Sequence, residues 1–180
     1  MDIDDAIKER KSVRKFSDKK PDWREILEAI DFTRHAPMAG NLFSLKFILV
    51  SDKKTIDKIA EYCQQDFISQ AYYVVVVCSD SQRTLTSFED KGEMYLRQQA
   101  GSAMENFMLK LEDLNLSTCW IGYFIDEEIK RQLSIPERTN VEAIFPIGYE
   151  AEHHLEKQPR KSELDSFIYF DKYGKKRMND

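Results

Sequence analysis

Residues 72–78, with the sequence YYVVVVC, form an uninterrupted run of aromatic and β-branched side chains that decides the fold class. An apolar run of this length without polar alternation predicts a strand that is buried on both faces. Such a strand belongs in the middle of a sheet, and the sheet then needs helices on each side. The rest of the chain supplies those helices.

The clearest predicted helix follows this strand and extends to about residue 114. Its apolar stripe consists of Ala100, Ala103, Met104, Phe107, Met108, Leu111 and Leu114. These positions share one face of a helix, so this face is expected to pack on the core. The small residues at 100–103 allow another helix or a second subunit to approach closely.

Shorter predicted elements alternate along the chain. Helices are predicted at 3–7, 23–30, 56–63 and 126–133, and strands at 47–50, 118–121 and 141–149. Residues 80–93 are polar and predict a loop or a mobile helical excursion. Pro146 has no N–H to donate, which favours an edge or a bend for the last strand. The interleaved order predicts one α/β domain.

Composition limits the classes of function. The chain has 180 residues, 42% of them hydrophobic, which suffices for one domain with a sizeable core. Its net charge of -5 argues against nucleic acid as a partner, because phosphate backbones require a broadly basic face. No apolar run approaches the ~20 residues that span a bilayer, and the acidic N-terminus is unlike a signal peptide. A cytoplasmic protein without membrane contact is predicted.

The three cysteines, Cys63, Cys78 and Cys119, are odd in number and have no CxxC spacing. A disulfide framework or a zinc site has little support from this pattern. Reduced core residues and no bound metal are predicted.

The first candidate site is the basic segment, residues 10–14, which contains Arg10, Lys11, Ser12 and Arg14. Arginine forks and a lysine charge suit phosphate oxygens, and a serine hydroxyl donates one further hydrogen bond. A phosphomonoester therefore fits this segment. Taken alone, the same residues are better explained as a charged face in solvent.

Three further segments carry features that suit a ligand. The Pro–Asn loop, residues 36–41, is built of small and turn-forming residues, and Asn41 can hydrogen-bond a planar ligand or its own backbone. Residues 118–122 form a strand that runs into a glycine, where backbone can approach a ligand. The strand end at 146–149 precedes Arg160. Each segment alone also suits an ordinary helix terminus, strand end or exposed cation.

In this order and spacing, the four segments together resemble the nitroreductase family. Its basic, serine-containing segment matches residues 10–16, and its Pro and Asn loop matches residues 36–41, with the strand 47–50 after it. Its helix and strand pair matches residues 101–122, and its late Gly-Tyr strand and basic residue match residues 148–149 and Arg160. The resemblance covers essentially residues 2–170.

The resemblance implies a three-layer α/β sandwich, with a mixed central sheet flanked by helices, in a homodimer that exchanges C-terminal segments. Residues 1–165 would form the FMN-binding domain, and residues 166–180 would pack on the partner subunit. The aromatic residues at 167–170 have nothing local to bury them, which such an exchange explains.

The resemblance also implies two FMN sites at the subunit interface. One subunit would contribute Arg10, Lys11, Ser12 and Arg14, with Arg160 closing on the phosphate, and the other would contribute Pro37, Met38, Ala39 and Asn41. Gln64 would lie near the pyrimidine edge, and the backbone of Ile121 and Gly122 would face N5. No side chain is expected to act as a catalytic acid or base.

The implied chemistry is a ping-pong transfer of hydride from NAD(P)H through FMN to an electron-poor small molecule such as a nitroaromatic or a quinone. The chain has no GxGxxG fingerprint, so the nicotinamide donor would bind only transiently. One arginine of Arg10 and Arg14 would stabilise reduced FMN near N1, and the other would bind ribityl or phosphate oxygens. Both assignments stay open.

The sequence departs from the family pattern in two places. Met38, Ala39 and Gly40 stand where more polar residues are common, so a phosphate contact is in doubt, and Leu42 and Phe43 favour an apolar substrate. The variable lid region contains Phe88, Tyr95 and Arg97. These residues are candidates for substrate contact, and the alternative is that they form ordinary helix surface.

Three alternatives remain open at this level. The first alternative, within the family, is the activity of a flavin reductase, a dehalogenase or another dehydrogenase. The second is a flavin-binding protein without catalysis, and the third is a dimeric α/β domain without a cofactor.

Overall fold

The computed structural model describes residues 1–80, 82–151 and 162–178. Its sheet contains β1 (Leu45–Val50), β2 (Tyr73–Ser79), β3 (Ser117–Thr118) and β4 (Asn140–Gly148), in the order β1-β2-β4-β3. Neighbouring strands are antiparallel, and a parallel bridge between Ser12 and Thr118 adds the N-terminal segment beside β3.

Helices cover both faces of this sheet. They are α1 (Ile3–Glu9), α2 (Trp23–Phe32), α3 (Lys53–Cys63), α4 (Gln82–Phe88), α5 (Gly92–Asp113), α6 (Asp126–Leu133) and α7 (Leu164–Phe167). Short 3-10 turns lie at Thr33–His35, Ala39–Asn41, Asp66–Gln70 and Glu89–Lys91. Asp2, Asp22 and Asp52 cap the first three helices with their carboxylates.

The core is divided into two layers by β2, whose residues are all buried. Val75 and Val77 pack with α2 and α5, while Val74 and Val76 pack with α3 and α6. Because side chains alternate along a strand, one valine run fills both layers. The predicted doubly covered central strand and the three-layer α/β sandwich are confirmed.

The long helix α5 begins at Gly92, eight residues before the first position of the predicted stripe at Ala100. Residues 82–91 are helical as well, so the helical excursion was the right alternative to a loop. A Cβ at Gly92 would lie 2.8 Å from Leu85 Cα, which shows how closely α4 approaches α5.

Pro146 lies in an interior strand, and the predicted edge position is wrong. The Pro146 carbonyl accepts a hydrogen bond from Thr118 Oγ1 at 2.8 Å, on the β3 side. Because the N and O atoms of a strand residue point to the same side, the missing N–H also faces away from β2. The pairing between β2 and β4 therefore loses no hydrogen bond at this proline.

A β-bulge in β4 redirects Glu142. Val77 pairs with Ala143 and Cys78 with Val141, which leaves Glu142 as the extra residue. Its side chain is only 5% exposed, and its carboxylate accepts from Ser79 Oγ at 2.5 Å and pairs with Arg97 Nη1 at 2.5 Å. The Arg97 guanidinium thus ties α5 to the sheet.

Cys63, Cys78 and Cys119 are buried, as predicted. Burial raises the pKa of the Cys63 thiol to about 12 and, with a smaller effect from Glu142, that of Cys78 to about 11. No helix of residues 1–80, 82–151 and 162–178 is long and apolar enough to cross a membrane.

Candidate functional site

The basic segment lies along the edge of the sheet in extended conformation. Val13 N donates to Thr118 O at 2.9 Å, and further along Ser17 N donates to Tyr149 O at 2.9 Å. Val13 and Phe16 are buried, while Arg14 between them is exposed. The backbone is therefore held by the sheet, and alternate side chains are left at the surface.

Gly148 makes this arrangement possible. A Cβ at this position would lie 2.8 Å from Phe16 Cδ1, so the phenyl ring occupies the space that a side chain would need. Phe16 is further held by its N–H, which donates to Gln70 Oε1 at 3.2 Å. The absence of a side chain at Gly148 thus makes room for Phe16, which follows the basic segment in the chain.

Carboxylates surround the basic segment. Lys11 Nζ lies 2.7 Å from Glu150 Oε2, whereas Arg10 Nε lies 3.9 Å from Glu105 Oε1. Burial, followed by the charge of Glu9, raises the pKa of Glu112 above its ordinary value. Glu150 therefore neutralises the charge of Lys11 at short range, whereas Glu105 is a more distant partner for Arg10.

The backbone at Gly122 lies open near the same edge. Ile121 is buried and exchanges hydrogen bonds with Ile144 at 2.9 and 3.1 Å, which fixes the chain just before the glycine. A Cβ built at Gly122 would meet only Trp120 Nε1, at 3.8 Å. Since Thr118 is bonded to Ser12 and Val13, the basic segment and the backbone leading to Gly122 lie along the same edge of the sheet.

The Pro–Asn loop contacts α5. Ala39 N donates to Gln99 Oε1 at 3.1 Å, and Gln99 Nε2 donates to Ser44 Oγ at 2.5 Å. Gly40 and Asn41 both have left-handed backbone, with φ of 59° and 57°. The Phe88 ring lies 3.1 Å from the position of a Cβ at Gly40, so α4 also packs on the loop.

The loop and the basic segment meet α5 at different places. The loop is bonded to Gln99, and Arg10 is paired with Glu105. Six residues of α-helix rise by roughly 9 Å, so the two groups contact separate turns of α5. Next to the loop lies a cavity of about 330 Å³, whose walls include Pro37, Met38 and Tyr95.

Gln64 ends α3 in left-handed conformation, with φ of 55°, and is exposed. The neighbouring Tyr62 O accepts from Ile125 N at 3.0 Å, which ties this end of α3 to the chain that follows Gly122. The structure therefore places Gln64 beside the segment after Gly122. Arg160 lies outside the described residues.

Sequence reasoning missed the residues that hold these segments in place, above all Gln99 and Gln70. Gln99 is 4% exposed and stands between the apolar positions Leu96 and Ala100 of α5. A polar residue on a core-facing stripe is a signal that could have identified it. For Gln70, whose partner is 54 residues away, the sequence offers no such local signal.

Comparisons with known proteins identify relatives of the chain. The model of the nitroreductase family matches residues 7–69 and 60–149. A protein of Methanothermobacter thermautotrophicus, provisionally named NADH dehydrogenase/NAD(P)H nitroreductase, is 29% identical over 85% of this chain and 80% of that protein. An iodotyrosine deiodinase of Thermotoga neapolitana is 22% identical over 81% of this chain and 87% of that protein.

Solved structures share the fold. A nitroreductase family protein of Clostridium novyi NT has a TM-score of 0.78 at 27% identity, and the match covers 98% of this chain and 97% of that chain. An FMN-dependent nitroreductase of Clostridium difficile has a TM-score of 0.77 at 23% identity, over 93% of this chain and 98% of that chain.

Proposed function

The chain belongs to the nitroreductase family of oxidoreductases, and we propose from this that it holds FMN and reduces an electron-poor small molecule with NAD(P)H. The observation that carries the proposal is the bridge between Ser12 and Thr118. This bridge aligns a basic segment, suited to a phosphate, with the open backbone at Gly122, suited to a planar ring.

The residues present fit FMN. A phosphate needs cations that are not fully neutralised, and Arg10 has only a 3.9 Å pair with Glu105. A ring needs backbone without an obstructing side chain, and Gly122 provides it. Arg10, Ser12 and Arg14 would therefore bind the phosphate and ribityl oxygens, with Lys11 beside them and Arg160 closing on the phosphate.

When bound, FMN would supply the hydride chemistry between NAD(P)H and the acceptor, in a ping-pong cycle. The protein itself would bind and orient the flavin and tune its reduction. A guanidinium of Arg10 or Arg14 near N1 would stabilise the negative charge that develops on reduction. The Ile121–Gly122 backbone, fixed by its bonds to Ile144, would hold the N5 side of the ring.

We further propose a homodimer in which the Pro–Asn loop, with Pro37, Met38, Ala39 and Asn41, reaches the partner's flavin. Two observations support it. Among the described residues, a Cβ at Gly101 on α5 would meet nothing within 4 Å, and on α1 Ile3 and Ile7 are exposed, with Ile3 lining a cavity of about 310 Å³. Such an open helix surface suits a subunit interface.

The described part of the C-terminal segment also suits an exchange between subunits. Phe167 and Tyr173 are exposed, and the Tyr169 and Tyr173 rings pack on each other with centroids 4.6 Å apart. We propose that residues 1–165 form the flavin domain and that residues 166–180 pack on the partner. Light scattering after size-exclusion chromatography tests the dimer, and a monomer mass would contradict it.

The deciding experiment is the visible spectrum of the purified protein after reconstitution with FMN. A flavin spectrum that bleaches anaerobically on addition of NADH or NADPH supports the proposal. A flavin spectrum that does not bleach identifies a binding protein without catalysis, and a colourless protein contradicts flavin binding altogether. Turnover with nitroaromatics, quinones and free flavin then identifies the acceptor.

A charge experiment tests the residues. The double variant Arg10→Ala, Arg14→Ala is expected to lose FMN and to keep the native oligomeric state. The matched control is Arg24→Ala, Arg34→Ala, which removes two exposed arginines from α2 and the turn that follows it. Unchanged flavin content in the first variant would refute the assignment.

Reductive dehalogenation is a second candidate activity. The relative in Thermotoga neapolitana is named an iodotyrosine deiodinase, and Leu42 and the exposed Phe43 give this chain an apolar surface next to the Pro–Asn loop. Release of iodide from iodotyrosine under reducing conditions tests it. Turnover of nitroaromatics without iodide release favours the general reductase.

A further inference from the structure

A polar groove of about 920 Å³ lies at the end of the sheet opposite to the basic segment. Its walls come from the start of β1, the end of β2, the start of α4 and the turn before β4. Asn41, at the end of the Pro–Asn loop, lines it as well. The groove therefore begins where the proposed contact with the partner's flavin ends.

Three cations line this groove, namely Lys46, Arg83 and Arg138. All three are exposed, and within the described part of the chain none of them has an ion pair or a hydrogen bond from its side chain. Asp80 contributes one carboxylate, so the lining keeps a positive balance in a chain of net charge -5. Lys11, by contrast, is paired with Glu150.

Thr84 gives an independent indication of a ligand. It lines the same groove, its side chain is fully buried, and among the described residues its hydroxyl oxygen has no hydrogen-bond partner. Buried hydroxyls are almost always bonded, because leaving one unpaired is unfavourable. Because this oxygen is closed off from solvent, a ligand oxygen in the groove would bond it only after the Thr84 side chain turns toward the groove.

The groove also has an apolar side. Leu42 and Phe43 line it, and Phe43 is exposed. Cations next to an aromatic surface suit an organic phosphate better than an inorganic anion. The chain has no glycine-rich fingerprint for a dinucleotide, so a diphosphate must be bound by other means.

We propose that this groove binds the diphosphate of the reduced nicotinamide dinucleotide while its nicotinamide ring lies at the flavin. This inference rests on the proposed function and on the proposed dimer. Arg83 and Arg138 supply forked donors, and Lys46 supplies a point charge. Asn41 connects the groove to the loop at which the ring would lie.

Steady-state kinetics on the FMN-loaded protein tests the groove. The groove variant carries Lys46→Gln, Arg83→Gln and Arg138→Gln, and the matched control carries Lys54→Gln, Arg24→Gln and Arg131→Gln. Each protein is assayed with NADPH, with NADH, and with 1-benzyl-1,4-dihydronicotinamide, which has the ring but no phosphate. The ratio of the dinucleotide KM to the benzyl-donor KM isolates the phosphate contacts.

In the groove variant this ratio is expected to rise about tenfold, since three charged contacts are lost, and in the control variant to stay at the wild-type value. High salt is expected to raise the wild-type ratio by screening. An unchanged ratio in the groove variant, or an equal rise in the control, overturns the proposal.

Binding of ADP, measured by calorimetry, separates failure of the groove from failure of the proposed function. ADP carries the diphosphate without the nicotinamide, so it needs no flavin. Wild-type binding that the groove variant loses and the control keeps supports the groove. Absence of ADP binding in the wild type overturns it, even where the donors are oxidised normally.

Discussion

Replacing Gln99 by Leu removes the bridge between the Pro–Asn loop and β1. The Gln99 amide accepts from Ala39 N at 3.1 Å and donates to Ser44 Oγ at 2.5 Å, and Ser44 is itself buried. Leucine has a similar volume, so the main change is the loss of two hydrogen bonds. At about 1 kcal/mol each, the free energy of unfolding is expected to fall by about 2 kcal/mol.

Urea unfolding at fixed protomer concentration measures this loss, because oligomers gain stability with concentration. Gln132→Leu, an exposed change on α6, is the control and is expected to stay within about 0.5 kcal/mol of the wild type. Ser44→Ala and the double variant complete a mutant cycle. A coupling energy of at least about 0.5 kcal/mol is expected, since the two side chains are in contact.

Hydrogen exchange gives a local measure of the same bridge. The free energy that opposes local opening of the loop is expected to fall by about 2 kcal/mol in Gln99→Leu. The Ala39 amide is therefore expected to exchange about thirtyfold faster in this variant. Additive effects in the mutant cycle, or wild-type protection of the Ala39 amide in the variant, would refute the reasoning.

Further perturbations follow from contacts described above. Gly148→Ala places a methyl group against Phe16 and is expected to cost about 1–3 kcal/mol, measured by thermal unfolding, with part of the stability restored by adding Phe16→Leu. The Lys110 ammonium and the N-terminal amino group lower the pKa of Asp113 to about 2 from 3.8, so this carboxylate stabilises the fold above about pH 4 and loses that effect as pH falls toward 2. Acid titration of unfolding in Asp113→Asn is expected to lack this component, and a curve parallel to the wild type would contradict it. Cys63, whose pKa burial raises to about 12, is expected to react with a thiol reagent at pH 8 only as fast as the protein opens, and rapid labelling of the folded chain would count against that burial.

The apolar patterns predicted the layers of the fold. The valine run of β2 and the stripe of α5 report burial directly, because each repeats with the period of its element. The first turns of α5 were missed, since residues 92–99 are largely polar and one of them, Gln99, is buried for its hydrogen bonds. The edge position predicted from Pro146 was wrong for a related reason. The side to which the Pro146 nitrogen points depends on pairing with distant strands.

For the candidate site, the sequence predicted four segments that would carry the chemistry, and this stays a prediction. The sequence could not indicate which residues hold these segments in place. The support of Phe16 by Gln70 and Gly148, and of Ala39 by Gln99, joins residues that are far apart in the chain. Whether Arg10 or Arg97 faces solvent or a carboxylate depends on similar pairings, with Glu105 in one case and Glu142 in the other.

The short length of β3 has a consequence for the protein without its ligand. With only two residues, β3 is a short strand at the edge of the sheet, and residues 12–17 cover its outer side and the chain just after β4 through bonds at Thr118 and Tyr149. The segment that carries the proposed binding charges is therefore also a guard against pairing with another chain. A ligand that immobilises Arg10 and Arg14 is expected to suppress aggregation, so loss of cofactor and loss of solubility should occur together.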